Sequence, residues 1–392
     1  MLFRRNEMAN GLKKIGKEVG FIRTCEGNPR NGEGSFIKLT DGRILHAYTE
    51  YYGNGWADHC TARISACYSY DDGESWDKPF ILFEKDEKAE NYMSVSLFRM
   101  KNGEVGCVYL RKERKKNGNI NCMPYFLYSS DEAKTWSEPS AITLPDGYYC
   151  VINDGVIVQR SGRILVPASL HGDSCDTIFD SNGNVLMEQG GVITVAASED
   201  NGRTWYKLDS VIRSPYKDTT GFGEPGIYEY ENGDLWLWFR SAYGHQYNVF
   251  SKDNGVTWTT PAPNLCFTSP DAPMRVKKVG KYTVAIFNPL SYNVLRTDYS
   301  KRYNTKRTPF VCAVSLNDGR EFDTTGKTFA SGALAYFQDM CYLLEDDYKD
   351  SYCYPAICEA GDGFVVSYYH SDGSDYTLNS EKLAKVYYSE IE

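Results

Sequence analysis

Several side chains that could do acid–base or hydrogen-bonding chemistry stand at the ends of apolar runs. Asp58 and His59 are adjacent in a glycine-rich stretch, and His59 could give or take a proton because an imidazole ordinarily titrates near neutrality. Asn153 and Asp154 lie together, where a carboxylate could contact sugar hydroxyls or a cation. His171 ends an apolar run. Each could equally serve in a buried structural hydrogen bond, so the elements that position them decide the matter.

An eight-residue motif recurs five times and indicates what those elements are. A serine is followed at fixed spacing by an acidic or amide residue, in most copies a glycine, and an aromatic residue; consecutive serines are 60, 69, 53 and 64 residues apart. A repeat of this length is typical of one supersecondary unit arranged around an axis or along a stack. The copies are Ser69–Trp76, Ser129–Trp136, Ser198–Trp205, Ser251–Trp258 and the degenerate Ser315–Phe322.

The motif predicts a hairpin turn that is closed by its own side chains. An aspartate can accept hydrogen bonds from backbone N–H groups further along the turn, and glycine adopts positive φ without steric cost. Apolar segments rich in β-forming residues precede the motif, for example at 192–197 and 310–314. We expect the closing aromatic residue to pack between neighbouring units.

A second repeat alternates with the first. Two-residue turns ending in glycine, each followed by a short apolar run, occur six times and read as β-hairpin loops, with their glycines at Gly42, Gly103, Gly162, Gly233, Gly280 and Gly363. Each unit would then hold four strands. The sequence therefore predicts an all-β, six-bladed β-propeller that forms a single domain over residues 1–392.

The composition limits which partners and compartments are expected. A net charge of −9 argues against nucleic acid, because neutralising phosphates requires basic patches. No run approaches the ~18 apolar residues of a membrane span, and the first ten residues lack the apolar core of a signal peptide. The 12 cysteines show no spacing typical of a metal site. We therefore expect a cytoplasmic protein, or a secreted one if a leader precedes this sequence, with no metal, cofactor, nucleic-acid or membrane partner.

The octets resemble the Asp-box repeats of the sialidase superfamily, whose fold is a six-bladed propeller, and the resemblance covers nearly the whole chain. Because Asp-boxes also occur in lyases, sorting receptors and other propellers, the chemistry must be sought residue by residue. Sialidases remove a sugar with a carboxylate on its anomeric carbon. The resemblance implies arginines that bind this carboxylate, a general acid for the leaving oxygen, and a tyrosine nucleophile activated by a glutamate.

The strongest match to the sialidase site is the hairpin 223–240. In the family, a glutamate begins the first strand of this blade and an arginine ends the second strand 16 residues later, which is the spacing of Glu224 and Arg240. A two-strand hairpin brings both residues to the same rim. The resemblance therefore implies Glu224 as the base that activates the nucleophile and Arg240 as a carboxylate ligand.

The resemblance also implies a further arginine and the nucleophile. Arg307 stands eight residues before an Asp-box serine, as the third carboxylate arginine of sialidases does, with Arg302 and Lys306 as nearby alternatives. Tyr354 stands three residues before an aliphatic residue and nine before a hairpin glycine, which fits the family's nucleophile; Tyr352 is the alternative.

Blade one supplies the acid and also the departure from the family. Asp58 lies where sialidases place their catalytic aspartate, with His59 as an alternative. The first strand has no arginine at the place of the family's first carboxylate arginine. Arg30, slightly upstream, could turn into the pocket, and Arg23 is a weaker substitute. If Glu33 pointed into the pocket, its charge would oppose a substrate carboxylate.

The remaining candidates are polar residues expected at the rim of a central pocket. Several blades that offer polar groups near their first strands are what such a pocket needs. The candidate substrate-binding residues are His59, Asn153, Asp154, His171 and Gln246, together with the arginines.

These residues together predict a retaining exo-glycosidase that acts on a terminal acidic sugar, with sialic acid first. Two other functions stay open at this point. A polysaccharide lyase on the same fold would use His171 or His59 with a tyrosine to abstract the proton next to a uronate carboxyl group. A non-catalytic carbohydrate-binding propeller would have no reason to pair Tyr354 with Glu224.

Overall fold

A computed structural model of the chain describes residues 12–171, 191–215, 221–290, 307–320, 322, 340–347, 350–371 and 378–392, and the backbone of short strands at 178–179, 185–187, 324–328 and 334–338. These residues are almost entirely β, and the only helix among them is the single turn α1 (Tyr388–Ile391). Within the same ranges, no helix is long and apolar enough to cross a membrane. The predicted all-β class is confirmed.

By their antiparallel pairing, the described strands can be grouped into six successive units, the first three of which are joined by parallel bridges into one 13-stranded sheet. Unit one comprises β2 (Arg30–Lys38), β3 (Ile44–Tyr51), β4 (Ala62–Ser69) and β5 (Phe80–Phe83). Unit two comprises β6 (Ala89–Arg99), β7 (Val105–Arg114), β8 (Ile120–Ser129) and β9 (Ser140–Ala141). Unit three comprises β10 (Tyr148–Cys150), β11 (Ile157–Val158), β12 (Ile164–His171), β15 (Val192–Ser198) and β16 (Tyr206–Lys207). Unit four comprises β17 (Gly223–Glu229), β18 (Leu235–Arg240), β19 (His245–Ser251) and β20 (Ala262–Thr268). Unit five comprises β21 (Arg275–Val279), β22 (Tyr282–Phe287), β23 (Phe310–Ser315) and β26 (Cys341–Glu345). Unit six comprises β27 (Tyr352–Ala360), β28 (Gly363–His370), β29 (Ser380–Tyr387) and β1 (Lys17–Ile22).

The two ends of the chain meet in unit six, because β1 pairs with β29. Two further hairpins stand apart from the units, β13 (Ile178–Phe179) with β14 (Val185–Met187) and β24 (Thr324–Thr328) with β25 (Leu334–Gln338). The grouping follows the order of the predicted blades. The prediction that residues 1–392 form one domain stays a prediction.

The Asp-box turns are closed by the hydrogen bonds that the motif predicts. In the first copy, the Ser69 hydroxyl accepts from the Gly73 amide at 2.8 Å and donates to Asp71 at 2.9 Å, and Asp71 accepts from the Ser75 amide at 2.9 Å. The same pattern recurs in the copies beginning at Ser129, Ser198 and Ser251. In the degenerate copy, the amides of Asn317 and Gly319 donate to the Ser315 hydroxyl, as in the other copies.

The buried core consists of six apolar clusters, and each cluster joins one unit to the next. The cluster of Phe36 and Ile44 with Val365 and Leu383 joins unit one to unit six. Each motif aromatic packs on the cluster between its own unit and the preceding one, as predicted: Trp76, Trp136, Trp205, Trp258 and Phe322. Burying one such side chain contributes about 2 kcal/mol or more, so the repeats are bound to one another mainly by apolar packing.

The first strands of four units contain the same β-bulge. The pairing register shifts by one residue between Gly32 and Ser35, Met93 and Ser96, Gly223 and Gly226, and Cys353 and Ala356. The residue after the first of each pair has a positive φ, namely Glu33, Ser94, Glu224 and Tyr354, with values from 45° to 56°. Residues other than glycine rarely adopt this backbone conformation, which destabilises the fold by of order 1–3 kcal/mol per residue. Bulges of this kind re-aim a side chain next to functional sites.

Candidate active site

The bulged strands surround a pocket of about 340 Å³, within the usual size of small-molecule sites. The predicted residues that line it are Arg30, Asp58, Glu224, Arg240, Arg307 and Tyr354, and Glu33 and Ser94 line it as well. The polar groups form two sets. We call Tyr354, Glu224, Arg240 and Arg307 the Tyr354 cluster, and Arg30, Glu33 and Asp58 the Arg30 cluster.

The Tyr354 cluster is built around a hydrogen bond that the Tyr354 hydroxyl donates to Oε1 of Glu224. Nη1 of Arg240 donates to Oε2 of the same carboxylate at 2.8 Å and lies 3.5 Å from the Tyr354 hydroxyl. Nε of Arg240 donates to Asp271 at 2.6 Å. Tyr354, Glu224 and Arg240 are therefore in direct contact, although they come from units six and four.

The surroundings act in opposite directions on the Tyr354 hydroxyl. Burial raises the pKa of Tyr354 well above its usual value and the Glu224 charge raises it further, while Arg240 and Arg307 lower it. The guanidinium of Arg307 lies 5.7 Å from the centre of the Tyr354 ring. The hydroxyl is therefore protonated at rest. Glu224 is placed to accept its proton, and the arginines are placed to stabilise the resulting oxyanion.

Arg307 differs from the other arginines because its bonds go to neutral groups. Its Nη1 donates to Sγ of Cys353 at 3.1 Å and its Nη2 to the main-chain oxygen of Asp271 at 3.0 Å. The alternatives Arg302 and Lys306 lie outside the described residues. The alternative nucleophile Tyr352 is 1% exposed and packs in the core between units five and six.

The Arg30 cluster is a network in which one guanidinium bonds to two carboxylates. Arg30 donates to Asp58 at 2.5 Å, to Glu33 at 3.0 Å and to the Tyr369 hydroxyl at 2.9 Å. It also lies over the rings of Tyr51 and Tyr369. The predicted turn of Arg30 into the pocket is therefore what the structure has. Arg23 instead lies over the ring of Phe21.

Asp58 is bound to the wall of the pocket through its main chain and its side chain separately. The Asn91 amide and the Lys112 ammonium group donate to its main-chain oxygen at 2.8 and 2.7 Å. Its side chain is 60% exposed and is held by Arg30. The walls of the pocket partly desolvate the carboxylate, which would raise its pKa, but Arg30 and Lys112 more than offset this and the pKa of Asp58 lies below its usual value.

Glu33 points into the pocket from the bulge of β2. It is 4% exposed and bonds to Arg30, to the Ser94 hydroxyl and, at 3.4 Å, to Tyr369. Burial raises its pKa, and the nearby charge of Asp58 adds to the rise, while Arg30 opposes it. A carboxyl group thus occupies the place where the sialidase resemblance expects an arginine.

Three predicted substrate ligands, Asn153, Gln246 and Asp154, are absent from the pocket lining, and their side chains bond to other parts of the protein. Asn153 donates to the main-chain oxygens of Gly34 and Tyr354. Gln246 donates to Ser269 and to the main-chain oxygen of Ala272, beside Asp271. Both side chains are fully buried.

Asp154 also lies outside the pocket lining and connects five units. Its carboxylate accepts from Ser35 at 3.0 Å, from Lys277 at 3.1 Å and from the Ile357 amide at 3.1 Å, and its own amide donates to Val95. The predicted contact with sugar hydroxyls or a cation is replaced by this set of bonds. Among the described residues, no group of three or more His, Cys, Asp or Glu side chains could hold a metal ion.

The two predicted histidines line a second cavity of about 450 Å³, which shares Tyr148 with the first. Nε2 of His171 lies 2.8 Å from the Ser169 hydroxyl, and burial, aided by Arg240, lowers the pKa of His171 to about 4. Burial and Lys112 lower the pKa of His59 as well. Asn119 and Asn121 complete a polar lining.

Sequence reasoning missed Asp271 and Ser94, although a signal for both was present. Each of the positive-φ residues Glu33, Ser94, Glu224, Asp271 and Tyr354 stands nine residues before the glycine of the next hairpin. In unit three the corresponding residue, Asp154, stands eight before its glycine and points elsewhere. The offset of nine was used only for Tyr354, yet it marks a positive-φ residue in five units, four of which have the bulge.

The fold and this spacing define a class of protein, which the family comparison identifies. Residues 61–366 match the model of the BNR repeat-like domain, and the chain belongs to that family. Among individual proteins, the chain is similar to a sialidase of Paraclostridium sordellii, with 24% identity over 250 residues that cover 58% of this chain and 57% of that protein. The chain thus matches little more than half the length of this relative.

Solved structures share the fold at low identity. A protein of unknown function from Dyadobacter fermentans superposes with a TM-score of 0.68 at 18% identity, over 95% of this chain and 99% of that one. The intramolecular trans-sialidase from Ruminococcus gnavus superposes with a TM-score of 0.65 at 12% identity, over 95% and 97% of the two chains. Together these comparisons support a sialidase-like glycoside hydrolase fold.

Proposed function

We propose that the protein is a retaining exo-glycoside hydrolase that removes a terminal acidic sugar, with sialic acid as the first candidate. The observation that carries the proposal is the hydrogen bond from Tyr354 to Glu224, with Arg240 in contact with both. A carbohydrate-binding protein gains nothing from joining a buried tyrosine to a base. A glycosidase that attacks through tyrosine requires this pair.

In the first step, Tyr354 gives its proton to Glu224 as its oxygen forms a bond to the anomeric carbon. The glycosidic bond breaks, and Asp58 gives a proton to the leaving oxygen. In the second step, water attacks the anomeric carbon of the glycosyl-tyrosine, Asp58 takes a proton from that water, and Glu224 returns a proton to Tyr354. Asp58 thus acts first as acid and then as base.

Arg240, Arg307 and Arg30 line the same pocket and supply cations for a substrate carboxylate. A guanidinium binds a carboxylate through two parallel hydrogen bonds. Arg307 is the best placed of the three, because its present partners are a sulfur and a main-chain oxygen. This supports an acidic sugar rather than a neutral one.

The lyase alternative receives less support. His171 is bonded to Ser169 and lines the second cavity, and His59 lies in that cavity too. Among the described residues, no hydrogen bond joins either histidine to Tyr354, whose hydroxyl bonds to Glu224. The ring of His59 instead lies edge-on to Tyr148, away from the arginines that would neutralise a uronate carboxyl group.

The test is the release of fluorophore from a fluorogenic sialoside by the wild type and by Tyr354→Phe. Release by the wild type that is lost in the variant supports the proposal. Absence of release by the wild type would rule out ordinary sialidase activity. Uronate oligosaccharides, scored by the ultraviolet absorbance of unsaturated products, would then test the lyase.

A further inference from the structure

The Arg30 cluster presents a chemical difficulty for the proposed acid. A general acid must be protonated to give its proton to the leaving oxygen. The Asp58 carboxylate is instead bound at 2.5 Å by a guanidinium that stabilises its charged form. Some event has to separate this pair before Asp58 can act.

The two carboxylates on Arg30 are held very unequally. Glu33 is 4% exposed and also bonds to Ser94 and Tyr369, whereas the Asp58 side chain is 60% exposed and Arg30 is the only hydrogen-bond partner found for its carboxylate within the described residues. A third carboxylate that entered the pocket would therefore displace Asp58 from Arg30 more easily than Glu33.

The main chain at Asp58 does not depend on Arg30. Asn91 and Lys112 fix its carbonyl oxygen from unit two. When the guanidinium turns to another carboxylate, Asp58 stays at the pocket wall and only its charge partner changes. Unit two thus fixes the main chain of Asp58, whereas Arg30 of unit one stabilises the charged form of its carboxylate.

We propose that Arg30 couples substrate binding to the protonation of Asp58: the carboxylate of the substrate takes the guanidinium from Asp58, and the released carboxyl group takes up a proton from solvent, which it then gives to the leaving oxygen. This inference rests on the proposed function, since it requires a substrate carboxylate and the role of Asp58 as acid. Arg30 is a specificity residue in this scheme, because a neutral glycoside would bind without separating the Arg30–Asp58 pair.

The charged and titratable groups that face Asp58 set the expected pH dependence. They are Arg30 and Glu33 on β2, Tyr51 on β3, Lys112 on β7, Cys122 on β8, Tyr148 and Cys150 on β10, and the adjacent His59. Only Arg30, Lys112 and a protonated His59 favour the charged form, and Lys112 stays bonded to the main chain throughout. Loss of Arg30 from Asp58 therefore raises the pKa of the acid.

The test compares pH profiles with a substrate that needs the acid, such as sialyllactose. The active form of Asp58 is protonated, so activity is present below its pKa and lost as the pH rises through it. Because kcat/KM reports the free enzyme and kcat the complex, we expect kcat/KM to decline at a lower pH than kcat. The separation should be about one pH unit or more, the usual effect of a close opposite charge.

Two variants move the profile in opposite directions. In Arg30→Gln, kcat/KM and kcat should decline at the same pH, which should be the higher of the two wild-type values. KM for sialyllactose should also rise. In Glu33→Gln, Arg30 keeps only Asp58 as a charged partner and a nearby negative charge is lost, so kcat/KM should decline at a still lower pH. An umbelliferyl sialoside, whose leaving group needs no acid, should show neither decline.

Coinciding declines in the wild type, or profiles that do not change in Arg30→Gln, would overturn the coupling while leaving the hydrolase proposal in place. Absence of any hydrolysis by the wild type would overturn the proposed function. The coupling would then be judged by ¹³C NMR titration of the labelled Asp58 carboxyl group with and without 2-deoxy-2,3-dehydro sialic acid. A pKa that rises on binding supports the coupling, and an unchanged pKa or absence of binding overturns it.

Discussion

The Tyr354 cluster and the Arg30 cluster both start from a bulged first strand, yet their charges are arranged for different tasks. In the Tyr354 cluster the carboxylate of Glu224 accepts from the tyrosine and from Arg240, so the proposed base and the proposed nucleophile are already in contact. In the Arg30 cluster the proposed acid, Asp58, is bound to a cation that opposes its protonation.

The difference lies in the side chain at the bulge. Unit six presents a phenol and unit four a carboxylate, and these two groups form a proton-transfer pair. Unit one presents the carboxylate of Glu33, which recruits Arg30. Under the proposed mechanism, one side of the pocket is ready for reaction in the free protein, whereas the other becomes ready when a substrate is bound.

The largest effect is expected for Tyr354→Phe, which removes the nucleophile and leaves the packing of the ring. Hydrolysis of a fluorogenic sialoside should fall by roughly 10³-fold or more, measured as kcat/KM. Tyr352→Phe is the matched control, because that side chain is buried in the core two residues away. Equal losses in both variants would contradict the assignment of chemistry to the Tyr354 cluster.

Asp154→Asn should lower stability rather than change either side of the pocket selectively. Asp154 is the carboxylate that faces the buried Arg275 at 3.5 Å, and its loss removes the counter-charge found for that guanidinium in the described part of the chain. Breaking a buried pair costs about 3 kcal/mol or more, which denaturant unfolding would measure. Asp146→Asn, at an exposed pair, is the control. If the variant were as stable as the wild type but had an altered substrate preference, Asp154 would have to contact the substrate after all.

Arg307→Gln tests whether the Tyr354 cluster binds the substrate carboxylate. A charge-assisted hydrogen bond contributes about 1.5–3 kcal/mol, so KM for a sialoside should rise about 10- to 100-fold, with a smaller change in kcat. Steady-state kinetics at saturating substrate separates the two. A fall in kcat with KM unchanged would place Arg307 in transition-state stabilisation alone.

The smallest effect is expected for His59→Gln, at the second cavity. In the proposed mechanism the leaving group departs on the side of Asp58, so His59 and the other polar residues of the second cavity would lie where an oligosaccharide leaving group extends. KM for sialyllactose should rise about threefold, the worth of one ordinary hydrogen bond. KM for the umbelliferyl sialoside should stay the same. Equal changes with both substrates would argue against contact with the leaving group.

The fold could be predicted from the sequence because its signals are local. The hydrogen bonds of an Asp-box connect residues at most four positions apart, as in the Ser69 copy. The resemblance to sialidases pointed to Glu224 and Arg240 through a spacing that one hairpin fixes. It pointed to Tyr354 through the offset of that residue from a hairpin glycine.

The rest depended on contacts between distant parts of the chain. The partners of Arg30 come from β2, from the loop at Asp58 and from Tyr369 on β28, and no spacing encodes that meeting. The direction of the Asp154 side chain was equally hidden, because its partners Ser35, Lys277 and Ile357 come from three other units. Polar residues near first strands thus indicated a central site but not which of them face it.

The repeated bulge has a consequence for how such a pocket can change over time. A residue at each bulge presents its side chain to the centre while the strands around it keep their pairing. Replacing that residue alters the acids, bases and cations of the pocket without altering the apolar clusters that join the units. Related chains could thus diverge in substrate through a handful of substitutions, and laboratory libraries confined to these positions would search new specificities at little risk to folding.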